Sequence, residues 1–403
     1  MKKMTDKGIQ EFSPLQRIEV LQKSLLDAGV DVALLCYSKS LYYYSGTTQP
    51  SFLIVTPEDF DLLVLKGMEH VAYESWLPGK KISEAKSGFK DITGVLKRLE
   101  VTGGALGMEM DVTPAVFYLR MAGAFPQFKI IDVSKIILEQ RKIKDAWELK
   151  CMREACRIVH AGHERILEIL REGMTEIELS AEIEDAHRRA GHEGLYFHRQ
   201  FDFFMGRGVL ASGEDLSRIA GKVQSITGMG LSPAVPLGAS RRTIKRGDMI
   251  VVDIPTLYKG YHSDQSRTYV IGKAPVACLD LYQGMKEISD RTIQHLRPGV
   301  SCADLYETAL SVARETGMEP FYMRLAGNPE ILPFIGHGIG LEVNELPLLS
   351  RNNRDVIREG VVTTLEIEMW KSEREVVKLE DTIAVHADGA EILTLSPRDL
   401  CEV

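Results

Sequence analysis

The amino-acid sequence has no long apolar run and no C-x-x-C pair of cysteines. A helix that crosses a bilayer needs roughly 20 successive apolar residues, and no stretch of these 403 residues provides them. The opening residues, MKKMTDKGIQEF, also lack the apolar segment of a signal peptide. The six cysteines are scattered and show no C-x-x-C spacing, so the sequence suggests neither a thiolate zinc site nor a disulfide framework. These absences predict a cytoplasmic protein without a membrane partner.

The chain also has fewer basic than acidic residues. Lys and Arg number 49 against 57 Asp and Glu, so the formal net charge is -8. Nucleic acids are bound through a concentrated basic surface that neutralises phosphates, and we therefore expect no nucleic-acid partner. Hydrophobic residues make up 44% of the chain and charged residues 26%, which is typical of a globular protein with ample apolar surface for a core.

The length of the chain predicts two domains, because single cores rarely exceed about 250–300 residues. An amphipathic helix is predicted over 17–28, and the apolar runs that follow it indicate strands alternating with helices. A long helix is predicted in RKIKDAWELKCMREACRIVHAGHERILEILREG, so the predicted domains are 1–143 and 144–403. The predicted fold class is α+β, with an α/β N-terminal domain and a second domain of helices and strands.

The second domain contains a weak internal repeat. LREGMTEIELSAEIEDAHRRAGHE, which starts at Leu170, aligns without gaps with LRPGVSCADLYETALSVARETGME, which starts at Leu296. Thr175 and Ser301 occupy equivalent positions that suit a helix N-cap. Strand-like segments follow both copies. The repeat predicts two related halves with a cleft between their sheets, and chance similarity is the alternative for so short a match.

Two aspartates lie close to a predicted hairpin. The apolar segment MIVVD ends at Asp253, a turn at Lys259-Gly260 reverses the chain, and the next strand is predicted to carry Asp264 beside Asp253. Buried carboxylates are costly unless they are paired or bind a metal ion. In the alternative interpretation, Asp264 pairs with Arg267 and Asp253 caps a turn.

A histidine and two glutamates complete the candidate site. His337 is flanked by glycines in PFIGHGIGLEVNELP, and glycines allow the backbone to approach the imidazole closely. Glu366 and Glu380 lie inside the apolar runs VVTTLEIEMW and VVKLEDTIAV, where buried carboxylates need cations. The alternatives are a structural histidine and edge-strand acids that face water, a role that Glu368 and Asp381 could also fill.

Four carboxylates and one imidazole in one cleft carry about four negative charges, which two divalent ions would balance. Oxygen ligands with a single histidine suit Mn, Fe, Co or Zn better than Cu. Two such ions, about 3.5–4 Å apart, lower the pKa of a shared water and polarise a carbonyl, which suits amide hydrolysis. The sequence therefore predicts a dinuclear metal site formed by Asp253, Asp264, His337, Glu366 and Glu380.

These residues follow the order and spacing of a known family. The sequence has G-Y-x-x-D-x-x-R-T from Gly260, G-H-G-I-G from Gly336, and a final Glu-Asp pair at Glu380. The set resembles the superfamily of methionine aminopeptidase, prolidase and creatinase, the M24 metallopeptidases, over nearly the whole chain. The resemblance implies a creatinase-type N-terminal domain, a pita-bread catalytic domain, a homodimer, and a short-peptide or other small-molecule substrate.

Several residues depart from the family pattern. Leu237, Pro333 and Asn344 each stand where family peptidases have a histidine. Lys378 replaces an arginine, and Glu368 ends a Glu-Ile-Glu segment that is Glu-Pro-Gly in the family. By family analogy the missing imidazoles steady the substrate carbonyl and handle protons, and each such loss typically costs about 10²–10³ in rate. The combination favours a relative that keeps its metals for a different substrate.

Three hypotheses for the function remain open. The first is a metal-dependent hydrolase that resembles Xaa-Pro peptidases, in which a metal-bridged hydroxide attacks an amide carbonyl and Glu366 is both ligand and proton acceptor. The second is a non-peptidase enzyme of the same fold, such as a lyase of the dimethylsulfoniopropionate type, and the third is a binding protein that retains metal without turnover. Residues that could line the pocket, or could serve only packing or a solvated turn, are Tyr261, His262, Asn344, Trp370 and Arg241.

Overall fold

The computed structural model describes residues 12–203, 206–221 and 223–403. These residues form two compact units. The N-terminal unit consists of Phe12–Arg141 with the short segment Arg199–Phe201, and the C-terminal unit consists of Lys142–His198 with Asp202–Val403. Within the described ranges, no helix combines the length and the apolar character that crossing a membrane requires.

The N-terminal unit is built on a mixed sheet of six strands. Its elements are, in chain order, α1 (Pro14–Asp27), β1 (Val32–Leu35), α2 (Ser38–Ser45), β2 (Ser51–Val55), β3 (Phe60–Val64), α3 (Met68–Glu74), β4 (Ile82–Glu84), α4 (Phe89–Arg98), β5 (Gly104–Met108), α5 (Ala115–Ala124), β6 (Phe128–Asp132) and α6 (Ser134–Arg141). The strand order is β4-β3-β2-β1-β5-β6, with parallel pairing between β1 and β5 and between β5 and β6. Helices that alternate with partly parallel strands are the predicted α/β pattern.

Helix α1 starts slightly earlier than its apolar periodicity indicates. Ser13 is the N-cap, and its hydroxyl accepts a hydrogen bond of 3.4 Å from the backbone N–H of Gln16. Pro14 occupies the first turn, where its missing N–H removes no helical hydrogen bond. Leu21 and Leu25 are fully buried on the inner face of the helix. The predicted helix is confirmed, and its start is set by the cap.

The C-terminal unit contains the larger sheet. Its elements are α7 (Ala146–Ile169), α8 (Glu176–Ala190), β7 (Val209–Ser212), β8 (Met249–Asp253), β9 (Thr256–Tyr258), β10 (Tyr261–Ser263), β11 (Ser266–Val270), α9 (Val276–His295), α10 (Cys302–Glu315), β12 (Phe334–Gly338), β13 (Glu345–Ser350), β14 (Val362–Trp370), β15 (Val376–His386), β16 (Gly389–Ile392) and β17 (Cys401–Glu402). The main strand order is β13-β12-β14-β15-β11-β8-β7, with β16 on β15 and β17 on β11. Strands β9 and β10 form a separate ribbon.

Helices pack on this sheet and bury its central strands. Helix α9 contacts β14 and β15, and α10 contacts β13 and α9. Met285 and Ile288 of α9 join Leu365 and Leu379 of the sheet in one buried apolar cluster. Full burial of a side chain of this size contributes about 1.5–3 kcal/mol. Strands β14 and β15, which carry Glu366 and Glu380, are thereby held on a rigid support.

The internal repeat correctly predicts the starts of two helices. Thr175 caps α8 and forms a capping box with Glu178. Ser301 caps α10, and its hydroxyl accepts a hydrogen bond of 3.1 Å from the backbone N–H of Asp304. Each cap satisfies an N–H group that would otherwise have no partner in the first helical turn. Both predicted N-caps are confirmed.

The hairpin near the two aspartates differs from the prediction. The turn at Lys259-Gly260 joins β9 to β10, and β8 is a separate strand that ends at Asp253. Pro255 has no N–H for a sheet hydrogen bond, so the sequence interrupts the strand at this point. Asp264 lies in the short connection between β10 and β11 rather than inside a strand.

Candidate metal centre

A row of facing residues crosses the middle of the large sheet. Ser266 of β11 is paired with Asp253 of β8 on one side and with Glu380 of β15 on the other. Glu380 is in turn paired with Glu366 of β14. Directly opposed residues of neighbouring strands project to the same face of a sheet. Three of the predicted ligands therefore project from one face, and all three are buried.

Asp264 joins this row from the connection between β10 and β11. Its backbone is anchored to β15 by a reciprocal pair of hydrogen bonds with one side chain. The Asp264 N–H donates to Thr382 Oγ1 at 2.9 Å, and the Thr382 hydroxyl donates to the Asp264 carbonyl at 2.8 Å. The side chain of Asp264 is buried. This anchoring places the Asp264 carboxylate in a defined position beside the row.

His337 lies inside β12 rather than in a turn, with a shift of register on each side. The flanking glycines permit close packing of backbones, since a Cβ atom on Gly338 would lie 2.0 Å from the Leu346 carbonyl oxygen. The imidazole Nδ1 lies 3.1 Å from the Gly338 carbonyl oxygen. Its Nε2 lies 4.0 Å from Oε1 of Glu366. If Nδ1 carries the proton and donates to the carbonyl, Nε2 is the nitrogen available for a metal ion.

The donor set fits a divalent ion. One ligand atom each from Asp264, His337 and Glu380 lies within 4.8 Å of the other two. Oδ1 of Asp264 and Oε1 of Glu380 are buried and have no hydrogen-bond donor among the described residues. Leaving a buried acceptor unsatisfied is costly, and coordination of a cation removes that cost. Carboxylate oxygens with one imidazole are ligands that Mn²⁺, Fe²⁺, Co²⁺ and Zn²⁺ accept.

The electrostatics of the cluster favour a cation. Burial raises the pKa of Asp264, and the neighbouring Asp253 carboxylate raises it further. Burial also raises the pKa of Glu380, with Asp264 as the next contribution. Charged carboxylates are disfavoured here because their surroundings solvate them poorly and their like charges repel each other. Protons and metal ions therefore compete for the same oxygens.

Lys378 lies at the centre of the cluster, which the interpretation of the sequence missed. Its Nζ is 2.7 Å from Asp253 Oδ2, 2.9 Å from Glu366 Oε2 and 3.5 Å from Glu380 Oε2. Burial alone would lower the pKa of Lys378, but the surrounding carboxylates raise it well above its ordinary value. The side chain is therefore a positively charged ammonium. The period-2 alternation of a strand could have revealed it, because residues 378 and 380 share a face.

Glu366 is held in its ionised form by its neighbours. Burial would raise the pKa of Glu366, but the Lys378 ammonium and His337 lower it below its ordinary value. Glu366 thus differs from Glu380, its cross-strand partner, whose pKa is raised. The Lys378 ammonium lies closer to Glu366 than to Glu380, and this difference helps to shift the pKa values of the two paired carboxylates in opposite directions.

A further buried glutamate, Glu368, contacts Lys378. Glu368 is the direct cross-strand neighbour of Lys378, with Oε1 at 3.5 Å from Nζ. Ser225 donates a hydrogen bond to Glu368 Oε1, and Lys378 Nζ lies 3.0 Å from Ser225 Oγ. Trp370 Nε1 donates to Glu368 Oε2 at 3.4 Å. Two departures from the family pattern, Lys378 and Glu368, are therefore structural partners of each other.

Arg267 pairs with Asp381, not with Asp264 as the alternative interpretation of the sequence proposed. Arg267 Nη2 lies 2.6 Å from Asp381 Oδ1, and both side chains are buried. Its Nη1 donates to the Glu380 carbonyl at 2.6 Å. Arg267 therefore fixes the backbone that carries the last glutamate of the row.

Three of the candidate pocket residues have packing roles in the structure. Tyr261 is buried, and its ring packs edge-on against Trp147 with 5.5 Å between centroids. Both ring nitrogens of His262 contact backbone groups, Nδ1 at 2.8 Å from the Gly340 carbonyl and Nε2 at 3.2 Å from the Phe197 N–H. Trp370 is buried and bonded to Glu368, as described above.

Asn344 is exposed, and its side chain lies close enough to His198 to oppose the lowering of the His198 pKa. Burial lowers the pKa of His198 to about 4, and the proximity of His337 contributes to the shift. The imidazole is therefore neutral near neutral pH. Its Nε2 is buried and has no hydrogen-bond partner among the described residues. The structure thus brings a histidine next to Asn344, a position where the family has one, and no signal in the sequence linked these two residues.

The remaining predicted residues differ in how much of their side chain is exposed to solvent. Leu237 is buried, Pro333 is half-buried and Arg241 is exposed. Arg242, the neighbour of Arg241, donates hydrogen bonds of 2.8 Å to Asp248 Oδ2 and to Ser212 Oγ, so its role is structural.

Comparison with known proteins identifies the family. The model of metallopeptidase family M24 matches residues 150–387, and the model of the creatinase/prolidase N-terminal domain matches residues 17–143. An Xaa-Pro dipeptidase of Pyrococcus furiosus is 28% identical over 391 residues, which cover 96% of this chain and 99% of the relative. An Xaa-Pro dipeptidase of Pyrococcus horikoshii is 27% identical over 389 residues, covering 95% and 97%.

Solved structures show the same architecture. An Xaa-Pro dipeptidase from Bacillus anthracis has a TM-score of 0.81 and 25% identity, and the alignment covers 97% of this chain and 100% of that protein. The prolidase from Pyrococcus horikoshii has a TM-score of 0.77 and 25% identity, with coverage of 96% and 99%.

The two units and the buried cluster of acids and histidine define a metal-dependent hydrolytic enzyme. The chain belongs to metallopeptidase family M24. The family resemblance and the fold class predicted from the sequence are both confirmed, and membership of the family implies divalent metal ions.

Proposed function

We propose that this chain is a metal-dependent dipeptidase that cleaves dipeptides of the Xaa-Pro type. The observation that carries the proposal is the convergence of buried carboxylates and His337 on one face of the sheet, with unsatisfied oxygens on Asp264 and Glu380. The relatives that match over nearly the whole chain are named Xaa-Pro dipeptidases, which supports this substrate class.

The metal ligands in this proposal are those predicted from the sequence, Asp253, Asp264, His337, Glu366 and Glu380. Divalent ions bound there polarise a substrate carbonyl and lower the pKa of water. The choice among Mn, Fe, Co and Zn stays a prediction. The prediction of two ions balances the negative charge of the four ligand carboxylates alone and leaves out the positive charge of Lys378.

Glu366 is proposed as the proton acceptor. Its Oε2 lies 2.9 Å from Lys378 Nζ, and its Oε1 lies 4.0 Å from His337 Nε2. The adjacent positive charge keeps the carboxylate ionised, so that one of its oxygens can take a proton from the attacking water. The other carboxylates of the row have no comparable combination of neighbours.

The substrate side of the site is proposed to include Asn344 and His198. Asn344 is exposed, and its partner His198 presents an unsatisfied Nε2 near His337. Polar groups arranged in this way can hold the carbonyl and amine of a short peptide. Arg241 is proposed to meet the terminal carboxylate, while Tyr261, His262 and Trp370 shape the walls.

The test is hydrolysis by purified protein supplied with Mn²⁺ or Co²⁺. We expect release of free proline from Ala-Pro, with much slower release of alanine from Ala-Ala. Asp264→Ala should abolish both activity and bound metal, because it removes a carboxylate with no substitute among the ligands. Asp388→Ala is the matched control, since Asp388 is an exposed acid in the turn after β15.

The proposal fails if folded, metal-containing protein releases no proline from any Xaa-Pro dipeptide. That result would favour the alternatives of a lyase or a metal-retaining binding protein, which no separate observation supports. A homodimer remains a prediction by family resemblance, and light scattering of purified protein would measure it directly.

A further inference from the structure

The ammonium of Lys378 lies among the same oxygens that the proposed metal ligands offer. Its Nζ is within 3.5 Å of carboxylate oxygens from Asp253, Glu366, Glu368 and Glu380. Asp253 and Glu366 are the nearest of these. They are also the two predicted ligands outside the group of Asp264, His337 and Glu380, whose donor atoms cluster within 4.8 Å. Lys378 is therefore closest to Asp253 and Glu366, and it is farther from Glu380, the ligand of the other group that it contacts.

The lysine is fixed in this place by its own supporting contacts. Glu368 is its cross-strand neighbour, and Ser225 contacts both Lys378 Nζ and Glu368 Oε1. The side chain of Lys378 is 2% exposed, so its charge has no route to solvent through a simple change of rotamer. Moving the ammonium aside would leave Glu368 buried without its counter-ion, which is strongly unfavourable.

We propose that Lys378 Nζ occupies one of the two cation positions of this centre, so that the chain binds a single divalent ion through Asp264, His337 and Glu380. The inference rests on the proposed function in that both need a metal at this cluster, and it narrows the five proposed ligands to three, with Asp253 and Glu366 bound to the lysine instead. A second divalent ion held by Asp253 and Glu366 would lie next to a fixed positive charge in a poorly solvating environment. That ion would have to displace the ammonium from the oxygens of Asp253 and Glu366 or share them with it, and the two cations repel each other.

The number of ions is measured by elemental analysis of protein that has been saturated with Mn²⁺ and then passed through a desalting column. We expect one equivalent per chain for the natural sequence. Lys378→Met removes the charge and keeps a stem of similar length, and should raise the content to two equivalents. Lys371→Met is the matched control because Lys371 is exposed on the same segment, and it should leave one equivalent.

Electron paramagnetic resonance of the Mn²⁺-loaded natural protein provides a second measurement that needs no variant. A single ion gives the spectrum of isolated Mn²⁺, whereas a pair of neighbouring ions gives an exchange-coupled spectrum. Two equivalents per chain, or a coupled spectrum, in the natural protein would overturn the inference even if Lys378→Met fails to fold. Two equivalents in Lys371→Met alone would also count against it.

These readouts separate this inference from the proposed function. Protein with one ion that hydrolyses no dipeptide contradicts the proposed function and supports the inference. Protein with two ions that releases proline supports the proposed function and overturns the inference.

Discussion

Arg267 and Asp381 form a fully buried ion pair, with 2.6 Å between Nη2 and Oδ1. The second oxygen of Asp381 accepts a hydrogen bond from Arg398 Nε, also at 2.6 Å. Burial would raise the pKa of Asp381, but Arg267 and Arg398 lower it below its ordinary value. The pair ties β11 to β15 one residue beyond Glu380, so the charge network next to the metal centre is part of its support.

Asp381→Asn should lower the free energy of unfolding by roughly 3–5 kcal/mol, because it leaves the buried Arg267 guanidinium without its counter-ion, whereas Arg398 keeps its ion pair with Asp290. Urea denaturation followed by circular dichroism measures the change. Asp388→Asn, at an exposed position, should stay within about 0.5 kcal/mol of the natural protein. A loss below about 1 kcal/mol for Asp381→Asn would mean that the pair contributes little.

The metal-free protein should become less stable as the pH rises. The pKa values of Asp264 and Glu380 are raised in the folded chain above the ordinary values of 3.8 and 4.5. Above those values the folded state binds more protons than the unfolded state, so stability is complete at lower pH and is lost as the pH rises through the folded pKa values. Thermal unfolding of chelator-treated protein across pH about 5 to 8 measures the effect.

Asp264→Asn is the control for this pH dependence. It removes one of the two raised pKa values and the like charge beside Asp253, so the stability of the metal-free variant should depend less on pH. Bound metal should flatten the curve of the natural protein by holding its ligands deprotonated. Parallel curves for the metal-free natural protein and for Asp264→Asn would contradict the assignment.

His198→Ala should reduce kcat/KM for Ala-Pro by about 10–100-fold while leaving the metal content unchanged. The pKa of His198 is lowered to about 4 by burial and by His337, so its imidazole does not titrate near neutral pH. The pH profile of the remaining activity should therefore keep its shape. His295→Ala, at an exposed position near the end of α9, is the matched control and should retain full activity.

Gly338→Ala should destabilise the C-terminal unit by about 1–3 kcal/mol and weaken metal binding. A methyl group at this position would lie 2.0 Å from the Leu346 carbonyl oxygen, so β12 and His337 must move. Metal titration and thermal unfolding measure the two effects. Gly94→Ala is the control, since its Cβ meets no atom within 4 Å in α4, and this change should raise stability by about 0.5–1 kcal/mol. Unchanged metal affinity in Gly338→Ala would contradict the argument.

Local features of the fold were predictable because they depend on neighbours in the chain. The caps at Thr175 and Ser301 are hydrogen bonds to residues three positions later, so the sequence contains both partners. The end of β8 before Pro255 follows from one missing N–H group, although the prediction had extended the hairpin across it. Apolar periodicity was enough to identify α1 and α7.

The candidate ligands were recognisable as buried acids and a histidine within apolar sequence, and their order along the chain indicated the family. The sequence by itself therefore determined the fold class and the residue types of the site. The tertiary structure decided which charges neutralise one another. Arg267 faces Asp381, Lys378 lies among the ligand carboxylates, and His198 meets Asn344. These pairings depend on strand register and on loop paths between residues up to 146 positions apart, and the energy of a buried charge is set by such neighbours in space.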